Sequence, residues 1–274
     1  MLSLAGGSGM MLRALPRAVL LCGITLFVYP AAEAASIPEK EFRIDRFDWE
    51  ADPDLARAVK RIVVRNDYGD VRARAAGDGP LLVHAVIQRL GSGPDIGVNV
   101  ERHGDALSVT VVAPPGRQAV SEESPAKTAV DRADMVVYVP EGAALEATTL
   151  RGIVEARRLK GPVEAETLDG EIRVDATGAV RARSSGGSIT VVVDHRAAAA
   201  SLIETRTGTA WVSLAEGSDY RLIVEPGGKV TSQIPLKEEA GAPRRRLTAL
   251  GGAALTPVVV RSDWGDVEIV KRKP

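Results

Sequence analysis

The strongest constraint in this sequence is a glycine that returns every eight or nine residues. From Thr148 the chain reads TTLRGIVEA, RRLKGPVEA, ETLDGEIRV, DATGAVRA and RSSGGSITV. Gly152, Gly161, Gly170, Gly178 and Gly187 therefore recur at steps of 9, 9, 8 and 9. After each glycine come any residue, then Val or Ile, then a polar residue, then Ala or Val. Alternation of period two marks a strand with one buried face. Ile153, Val163, Ile172, Val180 and Ile189 are expected inward, with Ala156, Ala165, Val174, Ala182 and Val191. Glu155, Glu164, Arg173, Arg181 and Thr190 are expected outward. The glycines are assigned to turns, on the ground that glycine adopts positive φ without steric cost. Leu150, Leu159 and Leu168 are expected to fill the corners.

So short a strand cannot bury an apolar face alone, so the copies must stack. The sequence predicts an all-β fold, a parallel β-solenoid with coils of roughly 18 residues and a thin core. An antiparallel meander with tight turns is the alternative, since a nine-residue period also suits hairpins. The charges favour the first. Eighteen residues separate Glu155 from Arg173 and 17 separate Glu164 from Arg181, so stacked coils place opposite charges side by side.

Two distant stretches repeat one turn: NDYGDVRA at Asn66–Ala73 and SDWGDVEIV at Ser262–Val270. Gly69 and Gly265 obey the repeat rule, one unit entering the fold and one closing it. A further unit centres on Gly208, with Ala210, Val212 and Leu214 inward and Trp211 outward. KEEAGAPRRRLTALGGAA is expected as a loop, and a last strand over Val258–Val270 closes the chain. Before the repeats, RIVVRND, VRARAA, LLVHAVIQRL, ALSVTVVA and MVVYVP read as strands, with a hairpin at His103-Gly104-Asp105. PPGRQAVSEESPAKTAVDRAD reads as a long polar loop. Phe42, Phe47 and Trp49 are expected to cap an otherwise open end.

With YGDVRA, the join VYVPEGAALEATTLRGIVEA, the Gly-x-Val repeats, SQIPL and the ending VVVRSDWGDVEIV, the chain resembles the bacterial putative adhesin family, domains built of β-strand repeats. The resemblance spans roughly residues 60–270. It departs at the residue before the turn glycine, often Asn in the family and here Arg151, Lys160, Asp169 and Thr177. It implies an envelope-associated β-solenoid and carries over no catalytic residue.

Residues 1–34 read as a cleaved secretory signal. Arg13 and Arg17 precede the apolar run Ala18–Pro30, and Ala32-Glu33-Ala34 supplies a small-x-small site. Residues 35–140 are then an N-terminal strand section with its cap, and residues 141–274 the repeat section. The single Cys22 lies in the signal, so the mature chain is expected to hold no disulfide and no thiol chemistry. Cleavage leaves 33 of the 35 basic and 35 of the 36 acidic side chains. That balance gives no field for nucleic acid. The basic cluster Ala242–Arg246 is read as a solvated loop.

No chemical constellation stands out. His84 lies on a polar strand face, His103 in a turn, and His195 follows Asp194 ten residues after Ser184 and Ser185. No elbow motif supports a Ser/His/Asp reading of them, and no two histidines have metal-ligand spacing. Glu155 and Glu164 are explained by strand pairing. Asp67 with Asp70, and Asp263 with Asp266, read as turn formers before they read as cation ligands. No cofactor is expected. The aromatics Tyr68, Trp211 and Trp264 are candidate ligand contacts. For Tyr68 and Trp264 the favoured reading is a lid over an apolar corner.

The expected function is a non-enzymatic, exported scaffold, adhesin-like protein or envelope sensor, periplasmic or extracellular. Its partner would be an envelope protein or polysaccharide. The alternative is a β-helical enzyme acting on polysaccharide. Intact-mass measurement of the exported protein should place its N-terminus at Ala35 or Ser36, whereas a mass that retains Cys22 contradicts cleavage.

Overall fold

The computed structural model describes residues 42–67, 69–90, 96–113, 131–193, 199–215, 219–252 and 256–272. The signal, Tyr68, His195 and residues 114–130 of the expected polar loop lie outside them, while the end of that loop, Arg132–Asp134, belongs to a strand. The described chain opens with β1 (Phe42–Glu50), helix α1 (Pro53–Ala58), β2 (Arg61–Asn66) and β3 (Val71–Ala75). Next come β4 (Leu82–Leu90), β5 (Gly97–His103), β6 (Ala106–Val112) and β7 (Arg132–Val139). The repeats supply β8 (Ala144–Thr149), β9 (Val154–Leu159), β10 (Val163–Thr167) and β11 (Ile172–Ala176). They continue with β12 (Val180–Ser184), β13 (Ile189–Val193), β14 (Ser201–Thr205) and β15 (Ala210–Ala215). The last strands are β16 (Tyr220–Glu225), β17 (Val230–Ser232), β18 (Lys237–Glu238), β19 (Leu247–Gly251), β20 (Pro257–Ser262) and β21 (Val267–Arg272).

These strands form two large mixed sheets. One has the order β1-β4-β7-β3-β9-β11-β13-β15-β21-β17, the other β18-β19-β16-β20-β14-β12-β10-β8-β2-β6-β5. Successive repeat strands alternate between the sheets, and each pairs in parallel with the next but one. Val163 sits opposite Leu145 on one side and Val180 on the other, 18 and 17 residues away. The antiparallel meander is thereby excluded for the repeats. Antiparallel pairs occur toward the ends, including the hairpin β5–β6 whose Gly104 has φ +66°. Leu247–Gly251, expected in a loop, is strand β19.

The inward set is nearly as expected. Val163, Ile172, Val180, Ile189 and all five Ala/Val partners are buried, as are Ala210, Val212 and Leu214. In the first unit the phase moves by one: Val154 is fully buried and stands opposite Ile172, while Ile153 is half-buried. Leu159 is buried, but Leu168 is 39% exposed and fills no corner. Phe47 and Trp49 of the edge strand β1 pack half-buried against the core.

The glycines work differently from the expectation. None of the repeat glycines has positive φ; among the described residues that conformation is confined to Gly77, Gly104, Gly142, Gly241, Gly252 and the non-glycine Arg158. The repeat glycines are required by crowding between layers, a layer being two consecutive strands, one from each sheet. A Cβ on Gly152 would fall on the Gly69 carbonyl, on Gly170 on Gly152, and on Gly187 on Gly170. On Gly208 it would meet Gly187, and on Gly265 it would meet Gly208. Every one of these approaches is well under 3.0 Å, nearer than real Cβ atoms come. Gly161 and Gly178 do the same at the opposite corner, over Ala143 and Gly161.

Beside the first column runs a column of buried polar side chains, three residues before each glycine: Asn66, Thr149, Thr167, Ser184, Thr205 and Ser262. Thr149 Oγ1 donates to the Gly69 carbonyl at 3.0 Å and accepts the Gly152 N–H at 3.2 Å. Ser184 Oγ repeats this with the Gly170 carbonyl and the Gly187 N–H, and Thr167 accepts the Gly170 N–H at 3.0 Å. Each hydroxyl supplies hydrogen bonds that a buried turn would otherwise lack.

The duplicated turn marks out-of-sequence layers. The β2/β3 layer lies between β6/β7 and β8/β9, and the β20/β21 layer between β14/β15 and β16/β17. Neither is terminal, so the expectation of one unit entering and one closing the stack is corrected. The aspartate after the glycine explains the repetition. Asp70 Oδ1 accepts the Ile153 N–H at 2.9 Å, and Asp266 Oδ1 accepts the Lys229 N–H at 2.8 Å. Each clamps its layer to one distant in sequence.

Gly170→Ala should destabilise the protein by about 2 kcal/mol or more, because backbone rather than a movable side chain blocks the methyl. Gly97→Ala, with only ordinary contact and no positive φ, should stay within about 0.5 kcal/mol. Equal denaturant midpoints for the two variants contradict the crowding account.

Candidate functional site

The outer face of the second sheet carries a ladder of alternating charge that the repeats position. At one register Glu166 stands opposite Arg183, Arg183 opposite Glu204, Glu204 opposite Arg261, and Arg261 opposite Glu225. Arg183 Nε donates to Glu204 Oε2 at 2.8 Å, and Arg261 bridges Glu204 and Glu225 at 3.2 and 2.9 Å. Arg246 closes the series on Glu225 with bonds of 2.6 and 3.0 Å. This part of the basic cluster is thus docked, not a solvated loop.

Burial works against ionisation of Glu225, but hydrogen bonds and charge from Arg246 and Arg261 outweigh it and hold its pKa below the ordinary carboxylate value. Arg261 is raised, first by its hydrogen bond to Glu204. Both shifts favour the charged forms of Glu225 and Arg261, the pair at the centre of the bonded series from Arg183 to Arg246. In the sequence its signal is an outward acid or base near the end of every second strand, a pattern the reading of Glu155 and Glu164 passed over.

Above this ladder lies a groove of about 540 Å³, continuous through Glu225, Arg244, Ser262 and Asp263 with a second hollow of about 490 Å³. Trp264 walls the second hollow and is 74% exposed. It is not a lid. Trp264 lies on the turn between β20 and β21, where its backbone N–H donates at 2.8 Å to the Arg206 carbonyl of the adjoining turn. Trp211 is different: half-buried on the other sheet, it donates Nε1–H to Glu268 Oε2 at 2.9 Å and has a structural role.

The structure does not bring together the remaining candidates. Glu155 faces outward yet is 5% exposed, covered by Arg74, which donates to it at 2.6 Å, and by Arg157. A bulge in β9 sets Arg157 and Arg158 against the single Asp175, with Arg158 at φ +56°. Burial raises the Glu155 pKa, but Arg74 and then Arg157 bring it below the ordinary value. Arg173 is opposite Glu155 in register but binds Glu171 instead, at 2.5–2.7 Å. Glu164 and Arg181 are neighbours at 3.9 Å. Asp70 has Ile153, Arg72 and Arg132 as partners, and no three metal-ligating side chains cluster among the described residues. His84 meets Asp48 at 2.5 Å and Tyr138 edge-on; His103 lies beside Glu101. Ser184 is committed to its corner. No described helix is long and apolar enough to cross a membrane.

No protein-family model matches the chain, and no curated protein matches it. Two solved structures do. A putative cell adhesion protein from Clostridium sporogenes is 12% identical, with 84% of this chain and 100% of that one covered and a TM-score of 0.43. A putative adhesin from Bacteroides fragilis is 7% identical, with 83% and 97% covered and a TM-score of 0.34.

Glu155 and Glu225 set the acid limb of stability. Their folded pKa values lie below those of the unfolded chain, so their contribution is complete above about pH 4.3 and is lost as the pH falls through the folded values. Urea midpoints should be flat from pH 7 to about 5 and then fall. The double variant Glu155→Gln/Glu225→Gln should start lower and fall less on acidification; an unchanged acid slope contradicts this assignment.

Proposed function

We propose that the mature chain is an exported, non-enzymatic β-solenoid that binds an envelope component through the groove beside Trp264. The solenoid reading rests on strands that alternate between two sheets and return in register after 17 or 18 residues, or after 21 from β12 to β14 and from β13 to β15. The observation that carries the binding reading is Trp264, a large ring left in solvent on a turn that the repeats from Thr148 to Val191 build without an aromatic. Exposing such a ring forfeits the area its burial would stabilise, and a contact surface accounts for that. The sequence resemblance to bacterial adhesins agrees with this role and with export.

Glu225 lends the enzymatic alternative no support as a general acid. A general acid needs a raised pKa, and Glu225 is shifted the other way by its arginines.

Purified mature protein should be retained by envelope fractions of the source cell. Trp264→Ala should lose retention by at least tenfold while keeping its melting temperature within about 2 °C. Equal retention of the variant removes the groove from the account, and release of reducing ends from cell-wall or extracellular polymers would establish the enzymatic alternative.

A further inference from the structure

The two joined hollows are lined by five arginines (Arg183, Arg206, Arg244, Arg245 and Arg261) and four carboxylates (Glu166, Glu204, Glu225 and Asp263). They are not equally matched. Arg183 and Arg261 are bonded within the ladder at 2.8–3.2 Å. Arg244 approaches Asp263 only to 3.6 Å, and Arg245 approaches Glu238, outside the groove, only to 3.8 Å. Arg206 has no carboxylate partner among the described residues; it is exposed on its turn, and its backbone carbonyl accepts the Trp264 backbone N–H. Three loosely matched guanidinium groups thus line the two joined hollows, Arg244 and Arg245 in the one that Trp264 walls and Arg206 in the other.

We infer that this groove takes an acidic polysaccharide whose carboxylates are those of uronate sugars. The inference rests on the binding reading above and names its ligand. A sugar ring presents C–H groups to an aromatic face, and Trp264 beside Pro226 offers an apolar wall of that kind. A guanidinium fork matches a carboxylate in two parallel hydrogen bonds, and Arg206 and Arg244 have that fork available. Glu166, Glu204 and Asp263 sit among the arginines as acceptors for sugar hydroxyls. The same carboxylates oppose a nucleic acid, whose phosphates need an uninterrupted run of cations. The groove also crosses several strands, about 4.8 Å apart, so a chain laid across it meets a new layer at each step.

Calorimetry with oligogalacturonate and oligomannuronate of about six sugars, with neutral cello-oligosaccharide and with sulfated dextran, tests this on the whole mature chain. A uronate oligomer should bind, weaken at least tenfold between 50 and 300 mM salt, and alter tryptophan fluorescence. Trp264→Ala and Arg206→Gln should each weaken it at least tenfold with unchanged melting temperature. Binding of the neutral oligomer as tightly, of sulfated dextran with no loss in Trp264→Ala, or of no uronate oligomer, overturns the inference. Envelope retention through Trp264 without uronate binding removes the ligand class alone. Loss of both removes the binding reading as well.

Discussion

Everything in this molecule depends on how closely two turns can lie on each other. Parallel strands spaced by about 4.8 Å bring their connecting turns to the same spacing. At the corner column each turn sets the α-carbon of its glycine against the carbonyl of the glycine in the neighbouring layer, leaving no room for a Cβ. Glycine serves here through the volume it lacks; its backbone freedom is used elsewhere, at Gly104 and Gly142. The column of Asn, Thr and Ser then makes the crowded corner possible, because a buried turn with unpaired N–H and C=O groups would cost about as much as the packing contributes.

This corner also explains how the chain can leave sequence order without losing register. A layer fits wherever it presents a glycine, a hydroxyl or amide three residues earlier, and an apolar strand on either side. The layers β2/β3 and β20/β21 meet those terms and add an aspartate. Asp70 and Asp266 each take a backbone N–H from a layer far away in the chain. The interleaving ties the N- and C-terminal sections to the repeats, so the division at residue 140 marks a change of sequence pattern more than a structural boundary.

Much of this was legible in the sequence, for physical reasons. The two-residue alternation gave the facing of Val163, Ile172 and Ile189, and the charge spacing gave the 17- and 18-residue registers. What escaped was cross-layer geometry. A glycine that is needed for space looks the same in sequence as one needed for φ, so nothing in the sequence distinguishes the two reasons at Gly152 and Gly170. Glu155 was legible as outward but not as covered, because its cover comes from Arg74, some eighty residues away, and from a bulge at Arg158. The ladder from Glu166 to Arg246 was hidden for a related cause: Arg261 reaches Glu204 only because the last layer inserts beside β14. Trp264 is legible as an aromatic on a turn, but not as the wall of a hollow, because Pro226 and Arg244, which line it too, come from other segments of the chain.

The central claim is that the glycine corners form the rigid interior of the stack. Native-state hydrogen exchange at the amides of Gly152 and Gly170 tests it most directly. Both N–H groups are buried and donated to threonine hydroxyls, so they should open only with global unfolding, with the same free energy as core strand amides such as Val174. Exchange as fast as that of the exposed hairpin turn at Gly104 would show that the corners open independently, and would contradict the account.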